Sequence, residues 1–187
     1  VEPYAGSTMP AGRYQLCAVL EAHDGRFSGS TIPTQVELRE GEALTVENMP
    51  QPPAHTKALH LYLTTADGTT FRHLATMTAP PPSITMATEP ELGHVCPTFM
   101  MDALPVGDIV RRTYGGARLL SAKGRYLYYS EPYLLGLYNP LGGYVPFEDD
   151  ITVVECSRGG IYVATESKTY RLSDDPSKSD LELLLPY

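Results

Sequence analysis

The sequence of 187 residues has no tryptophan, only three cysteines and few charged residues, at 19%. Cys17, Cys96 and Cys156 are widely spaced and form no C-x-x-C pair, so we expect buried, reduced thiols instead of a disulfide framework. No apolar run approaches the ~18 residues that a membrane-spanning helix needs. The 14 Lys and Arg against 22 Asp and Glu give a net charge of −8, which argues against direct nucleic-acid binding.

The amino terminus, Val1-Glu2-Pro3, shows neither an initiator methionine nor a signal-peptide pattern. We therefore expect the chain to be either processed or a piece of a longer protein. Reduced thiols fit folding in a reducing cytoplasm.

The sequence is rich in proline and glycine, with 17 and 16 residues, while 42% of its residues are apolar. This composition favours an all-β protein of short elements with a packed core. In residues 1–98, alternating apolar positions separated by turn residues predict a β-sandwich. The predicted strands of this domain are Gly12–Leu20, Thr34–Leu38, Ala43–Glu47, Leu59–Thr65, Thr70–Met77 and Ser83–Met86.

A proline-rich stretch between Glu89 and Pro105 indicates a linker before a second domain, residues 99–187. There, two strands flank Lys123-Gly124, and a long loop over Glu131–Phe147 follows. Three closely connected strands then predict an antiparallel meander, the unit of a propeller blade. These last strands are Ile151–Cys156, Ile161–Thr165 and Thr169–Leu172. Because a domain of this length holds only one or two blades, we expect either an incomplete propeller or strands that pack on the sandwich or on a partner.

The first domain resembles a fibronectin type III or related immunoglobulin-like module. The segment from Gly12 to Ser28 resembles the penultimate-to-last strand pair of such modules, and Leu59–Leu63 with Asp67-Gly68 resembles their central strand and its neighbour. The last pair comes first here, so the resemblance implies either a permuted order or a cut through tandem modules.

The second domain resembles the propeller portion of tailed-bacteriophage tail and neck proteins of the nozzle or DNA-stabilisation type. The resemblance is carried by Arg118–Ala122, Gly124–Pro132, Tyr144–Phe147, Ile151–Val154, Ile161–Thr165 and Thr169–Leu172. It implies a non-enzymatic structural protein of the virion, in the tail or head-to-tail assembly. The implied partners are other virion proteins and copies of the same chain, assembled in the host cytoplasm.

Catalytic and metal sites find little support in the sequence, and we expect no catalytic residue, cofactor or metal. The five histidines show no H-x-x-x-H or H-E-x-x-H spacing, and an ordinary polar pair across a hairpin is the expectation for His60 and His73. The acidic clusters Glu148-Asp149-Asp150 and Asp174–Asp180 lack the spacing of a calcium loop and indicate solvated turns.

Tyrosine is concentrated between residues 126 and 144. It occurs there at Tyr126, Tyr128, Tyr129, Tyr133, Tyr138 and Tyr144. Tyrosine suits protein interfaces because it offers a rigid ring and a polar tip, and long loops are usually functional. The sequence therefore predicts an interface at Tyr129, Tyr133, Tyr138 and Tyr144. Two alternatives are that these rings stack on glycans of a host or ligand, or that Tyr126 and Tyr128 simply alternate into the core.

Overall fold

The computed structural model describes residues 2–3, 6–49, 51–178 and 180–186. Within these residues the chain forms seventeen β-strands, one turn of 3₁₀-helix at Pro176–Lys178 and no α-helix. The predicted all-β class is therefore confirmed. The chain divides into two compact units, Val1–Met100 (unit 1) and Met101–Tyr187 (unit 2).

Unit 1 contains seven strands in two antiparallel sheets. The strands are β1 (Glu2–Pro3), β2 (Gly12–Ala22), β3 (Thr34–Leu38), β4 (Glu42–Glu47), β5 (Thr56–Leu63), β6 (Arg72–Met77) and β7 (Ser83–Met86). One sheet has the order β3-β2-β5-β6 and the other the order β1-β4-β7. The predicted hairpin of β5 and β6 is confirmed. After β2 the chain turns at Asp24-Gly25, where the Gly25 N–H donates to the carbonyl of Ala22.

The two sheets of unit 1 share a core. Leu59 and Leu61 of β5 are fully buried in one apolar cluster with Val46 of β4 and the half-buried Ile84 of β7. Alternation along β5 sends these leucines to one face, which gives unit 1 its sandwich-like character.

The opposite face of the four-stranded sheet is buried as well. It carries Cys17 and Tyr62, which pair directly across β2 and β5. The rings of Phe71 and Phe99 and the thiol of Cys96 join the same buried cluster. Strand β5 is consequently buried on both faces from Ala58 to Leu63.

Unit 2 contains ten strands. They are β8 (Asp102–Ala103), β9 (Ile109–Arg112), β10 (Leu119–Lys123), β11 (Tyr126–Tyr129), β12 (Leu137–Tyr138), β13 (Tyr144–Pro146), β14 (Ile151–Ser157), β15 (Gly160–Thr165), β16 (Lys168–Leu172) and β17 (Glu182–Pro186). Four of them form a sheet of order β13-β11-β10-β9, here called the N-sheet. The last four form a meander of order β14-β15-β16-β17, here called the C-sheet, and β12 pairs with β8.

The N-sheet and C-sheet pack together through one apolar cluster. Leu120 and Leu127 of the N-sheet are fully buried in it with Ile161 and Val163 of the C-sheet. The face that each sheet turns toward this cluster is its inner face, and the opposite face is its outer face.

The segment Glu131–Phe147 was expected to be one loop, and that expectation is wrong. It contains β12, which pairs with β8, and β13, which pairs with β11. These strands have two and three residues and are flanked by proline and glycine, so neither is long enough to show an alternating pattern in the sequence.

Candidate functional site

A row of four residues crosses the outer face of the N-sheet from edge to edge. Val110 pairs with Ser121, Ser121 with Tyr128, and Tyr128 with Tyr144. The end residues of the row, Val110 and Tyr144, are 45% and 39% exposed. An outer face that presents a valine and tyrosines to solvent differs from the polar outer face of an ordinary half-solvated sheet.

Four tyrosine rings, which we call the tyrosine face, pack on one another along this row: Tyr126, Tyr128, Tyr138 and Tyr144. The ring of Tyr128 lies 5.7 Å from that of Tyr138, at an interplanar angle of 89°. The rings of Tyr126 and Tyr144 are 5.8 Å apart at 76°. These are edge-to-face contacts, in which the positive edge of one ring meets the negative face of another. Burial, followed by the nearby Asp102 carboxylate, raises the pKa of Tyr138.

The segment before β9 is hydrogen-bonded to the outer face of the N-sheet, next to the tyrosine face. The buried hydroxyl of Ser121 donates to the carbonyl of Pro105 (2.6 Å) and accepts from the Gly107 N–H (2.9 Å). Strand β12 holds Tyr138 over Tyr128, since its backbone pairs with β8. The face is therefore assembled from a sheet and from two chain segments that are fixed to it.

Positive charge borders the tyrosine face. The Arg125 guanidinium carbon lies 5.4 Å from the centre of the Tyr126 ring, a cation–π arrangement. Arg112 and Lys123 project from the outer face. The four strands of the N-sheet, all within the described residues, carry no acidic side chain.

The predicted interface tyrosines separate into three groups. Tyr138 and Tyr144 lie in the tyrosine face. Tyr133 lies apart from its rings, with 82% of its surface exposed and a positive φ of 62°. Tyr129 is only 7% exposed in the core of unit 2, and its hydroxyl donates to the carbonyl of Gly142. Tyr129 therefore cannot present its ring to a partner.

The interface predicted from the sequence does not include Tyr126 and Tyr128, and one of the alternatives places both of these rings in the core. In β11 it is Leu127 and Tyr129 that point inward, opposite Ala122 and Leu120. The sequence of β10 holds the information that identifies the outward rings. Its apolar Leu120 and Ala122 face the core, so their cross-strand partners in β11 are buried and Tyr126 and Tyr128 face outward.

Unit 1 holds a hydrogen-bonded histidine network. The Glu21 carboxylate accepts from His60 Nε2 (3.0 Å), and Thr76 Oγ1 lies 2.9 Å from His60 Nδ1 and 2.8 Å from His73 Nε2. The His73 ring stacks on that of His94, with centroids 5.0 Å apart. Across β5 and β6 the paired residues are His60 with Thr76, so Thr76 bridges the two histidines that the sequence placed opposite each other.

Burial, followed by the charges of His94 and His60, lowers the pKa of His73. Side-chain hydrogen bonds from Lys57 and then His60 lower the pKa of Glu21. Both ring nitrogens of His60 and Nε2 of His73 are hydrogen-bonded to Glu21 or Thr76. No group of three or more His, Cys, Asp or Glu suited to hold a metal occurs among the described residues.

The three cysteines are free thiols, and Cys17 and Cys96 are buried in one cluster of unit 1. A hydrogen bond with Cys96, together with burial, raises the pKa of Cys17. Burial raises the pKa of Cys156 to about 11.

The acidic runs take part in local contacts. Glu148 forms an ion pair with Lys168, and Asp149 accepts a hydrogen bond from Ser167. Asp175 lies 3.2 Å from the Arg118 guanidinium.

Within the part of the chain that the structure describes, no helix is long and apolar enough to cross a membrane. No protein-family model, curated protein or solved structure matches the chain.

Proposed function

We propose that the protein is a non-enzymatic structural component of a bacteriophage virion, in the tail or head-to-tail assembly, and that it contacts its neighbours through the tyrosine face. The observation that carries this proposal is the outer face of the N-sheet, where packed tyrosine rings and an exposed valine lie beside Arg112 and Lys123. The resemblance of residues 118–172 to phage tail and neck proteins supplies the setting. Assembly would take place in the host cytoplasm.

The composition of the tyrosine face suits a contact between proteins. Tyrosine and arginine are enriched at interfaces and over-represented among the residues that carry most of the binding energy. The rings are already packed against one another, so little side-chain freedom is lost when a partner covers them. Arg125 adds a cation that is already in place beside Tyr126.

The strand neighbours of unit 1 bear on its fold. We propose that it is a fibronectin type III-like module with a shifted strand order. Strand β2 lies between β3 and β5, and β5 lies beside β6, in one sheet. This adjacency supports the resemblance, in which β2 belongs to the last strand pair (Gly12–Ser28) and β5 and β6 form the central pair.

Carbohydrate binding or host adhesion is the alternative function for the same surface. Tyr144 offers an exposed ring, and the Tyr126 hydroxyl lies 3.3 Å from an Arg125 nitrogen, so aromatic and polar groups adjoin. The edge-to-face packing of the four rings leaves few flat faces for a sugar, which favours the protein contact.

The experiment uses phage particles that lack the gene and receive the chain in trans. We expect the wild-type chain to be incorporated, as detected by mass spectrometry of purified particles. The variant Tyr138→Ala should fold, by circular dichroism, yet be incorporated poorly. Tyr144→Ser, which alters a side chain already 39% exposed, serves as a milder second variant.

The matched control is Tyr114→Ala, which removes a tyrosine that is 58% exposed and lies outside the tyrosine face. It should be incorporated like the wild type. Absence of the wild-type chain from purified particles would overturn the virion role. Normal incorporation of the tyrosine variants would overturn the contact, and glycan-array binding that depends on Tyr144 would support the alternative.

A further inference from the structure

A short segment of unit 1, residues 96–100, crosses the cysteine-bearing face of the four-stranded sheet and is called here the strap. At its start, the Cys96 N–H donates to the carbonyl of Phe71, the residue before β6 (2.8 Å). Further along, the Thr98 carbonyl accepts from the Ser30 N–H (3.2 Å), and the residue after Ser30 is hydrogen-bonded to β2. The strap is thus fixed beside β6 at one point and beside β2 at another.

The strap places Cys96 against Cys17 of β2. The two thiols form a hydrogen bond inside one buried cluster, in which Cys17 is 1% and Cys96 is 6% exposed. The Cys17 thiol donates and the Cys96 sulfur accepts, which raises the pKa of Cys17 and lowers the pKa of Cys96. The Thr98 N–H is a second donor to the Cys96 sulfur. In this pair Cys96 is therefore the thiolate, the nucleophilic form of cysteine, and Cys17 is the thiol.

A buried hydroxyl without a partner lies near the two sulfurs. Tyr62 belongs to the same cluster, and its hydroxyl has no hydrogen-bond partner among the described residues. Burial, followed by the charges of Cys96 and Cys17, raises the pKa of Tyr62 to about 12, so the hydroxyl stays protonated. Unpartnered buried polar groups are rare, and a redox role is one reason for keeping one. The Tyr62 hydroxyl can donate to an oxygen atom that enters beside the sulfurs.

The strap is a thin cover over Cys96. Val95 is 50% exposed, and Pro97 on the other side of Cys96 is exposed as well. Residues 97–101 belong to no strand. Segments with few backbone hydrogen bonds open locally at low cost in free energy. Because both chain neighbours of Cys96 already reach solvent, a small opening of the strap admits a molecule as small as hydrogen peroxide.

We propose that Cys96 and Cys17 are a site of reversible oxidation, at which a peroxide converts the two thiols into a disulfide that ties the strap to β2. The Cys96 thiolate attacks one oxygen of hydrogen peroxide, so that an S–O bond forms while the O–O bond breaks. The released hydroxide takes up a proton to become water, and Cys96 is left as a sulfenic acid.

In the second step the Cys17 sulfur attacks the Cys96 sulfur. The S–S bond forms, the S–O bond breaks, and the oxygen leaves as water with the proton of Cys17. Together the two thiols lose two electrons and two protons, and one peroxide is reduced to two waters. This inference concerns unit 1 and does not rest on the proposed function of the tyrosine face.

The test treats the purified full chain in native buffer with an equimolar amount of hydrogen peroxide. Remaining thiols are blocked with N-ethylmaleimide, and the peptides are mapped by mass spectrometry. We expect a linked pair of peptides that contain Cys17 and Cys96, and dithiothreitol should restore both thiols. Cys156 is the internal control, because it is less buried than either cysteine of the pair and burial raises its pKa to about 11. Exposure alone predicts that Cys156 reacts first, whereas the proposal predicts that it stays alkylatable.

Three variants separate the roles of the thiols. In Cys17→Ala no second thiol displaces the oxygen, so Cys96 should persist as a sulfenic acid that dimedone labels. Cys96→Ala should leave Cys17 unreactive, because its thiol is then buried without a thiolate beside it. The matched control Cys156→Ala should form the same disulfide as the wild type. Circular dichroism checks the fold of each variant, and the peptide map of the wild type decides the proposal even if a buried substitution prevents folding.

Three results would each overturn this site of oxidation. The first is a wild-type chain in which Cys156 reacts before the pair. The second is a chain whose three thiols all remain alkylatable after treatment with peroxide. The third is a linked peptide that forms only in concentrated urea, since the native fold would then not be what brings Cys17 and Cys96 together.

Discussion

The Arg118 guanidinium lies over the ring of Tyr129, with its central carbon 5.3 Å from the ring centre. Arg118 is only 7% exposed. It donates to the Ser130 carbonyl (2.6 Å) and to Ser177 Oγ (3.3 Å), and it lies 3.2 Å from the Asp175 carboxylate. One buried cation therefore joins β10, the end of β11 and the 3₁₀-helix.

We predict that Arg118→Ala lowers the free energy of unfolding by about 2 kcal/mol, because its removal leaves the buried Ser130 carbonyl without its donor. Urea unfolding followed by circular dichroism measures the change. The matched control is Arg111→Ala, which breaks an exposed ion pair with Glu155 and should cost less than about 1 kcal/mol. Equal costs for the two variants would show that Arg118 does not organise this region.

The histidine network predicts a pH dependence of stability. Burial and the neighbouring His94 and His60 hold the pKa of His73 below its ordinary value of 6.5. The unfolded chain therefore takes up a proton on this ring at pH values where the folded chain does not. Stability from this group is complete above pH 6.5 and is lost as the pH falls through the folded pKa. The Glu21 pKa is also lowered, and its contribution is lost only at more acidic pH, in the carboxyl range.

Urea unfolding at a series of pH values from neutral to mildly acidic checks this prediction. His73→Gln should flatten the decline in stability below pH 6.5, whereas His23→Gln, at an exposed histidine, should leave it unchanged. A wild-type slope in the His73→Gln variant would assign the pH dependence to other groups.

Most strands could be predicted from the sequence, and the gaps have physical reasons. Strands such as β2 and β15 are long enough for alternation to show, and each is bounded by turn residues. Strands β8, β12 and β13 have two or three residues each, and they exist because a neighbouring segment offers hydrogen bonds. No local pattern specifies such strands.

The sequence shows where tyrosine is concentrated but not which face of the sheet each ring occupies. The tyrosines between residues 126 and 144 are visible in the sequence, yet β11 alternates between Tyr128, which faces outward, and Tyr129, which is buried. Both residues are tyrosine, so composition cannot distinguish them. The register against β10 decides which ring reaches solvent.

We predict that Gly107→Ala destabilises unit 2 because Gly107 lies against the backbone of β10. A Cβ at this position would lie 2.0 Å from the carbonyl oxygen of Ala122. The displaced segment would leave the buried Ser121 hydroxyl without its partners, at a cost of about 2 kcal/mol. Hydrogen exchange of the Ser121 region and urea unfolding measure the effect.

The control for this prediction is Gly136→Ala, since a Cβ there meets no atom within 4 Å. It should change the free energy of unfolding by no more than about 0.5 kcal/mol. Wild-type stability of the Gly107→Ala variant would mean that the segment before β9 does not depend on this close approach.

Substitutions at Tyr133 can distinguish the effect of backbone strain on stability from the loss of a binding contact. Its φ of 62° is unfavourable for any residue with a Cβ, and its N–H donates to the Ala117 carbonyl at 2.7 Å. Its ring is 82% exposed, so loss of the ring itself should cost little stability. We predict that Tyr133→Gly is more stable than Tyr133→Ala by about 1 kcal/mol, because glycine adopts this conformation without the Cβ clash. Paired urea titrations measure the difference, and equal stabilities would contradict the strain.

The two variants lack the same ring, so if Tyr133 contacts a neighbour in the assembly, both should lose incorporation to the same extent. An incorporation defect that followed stability instead would assign Tyr133 a purely structural role in its turn.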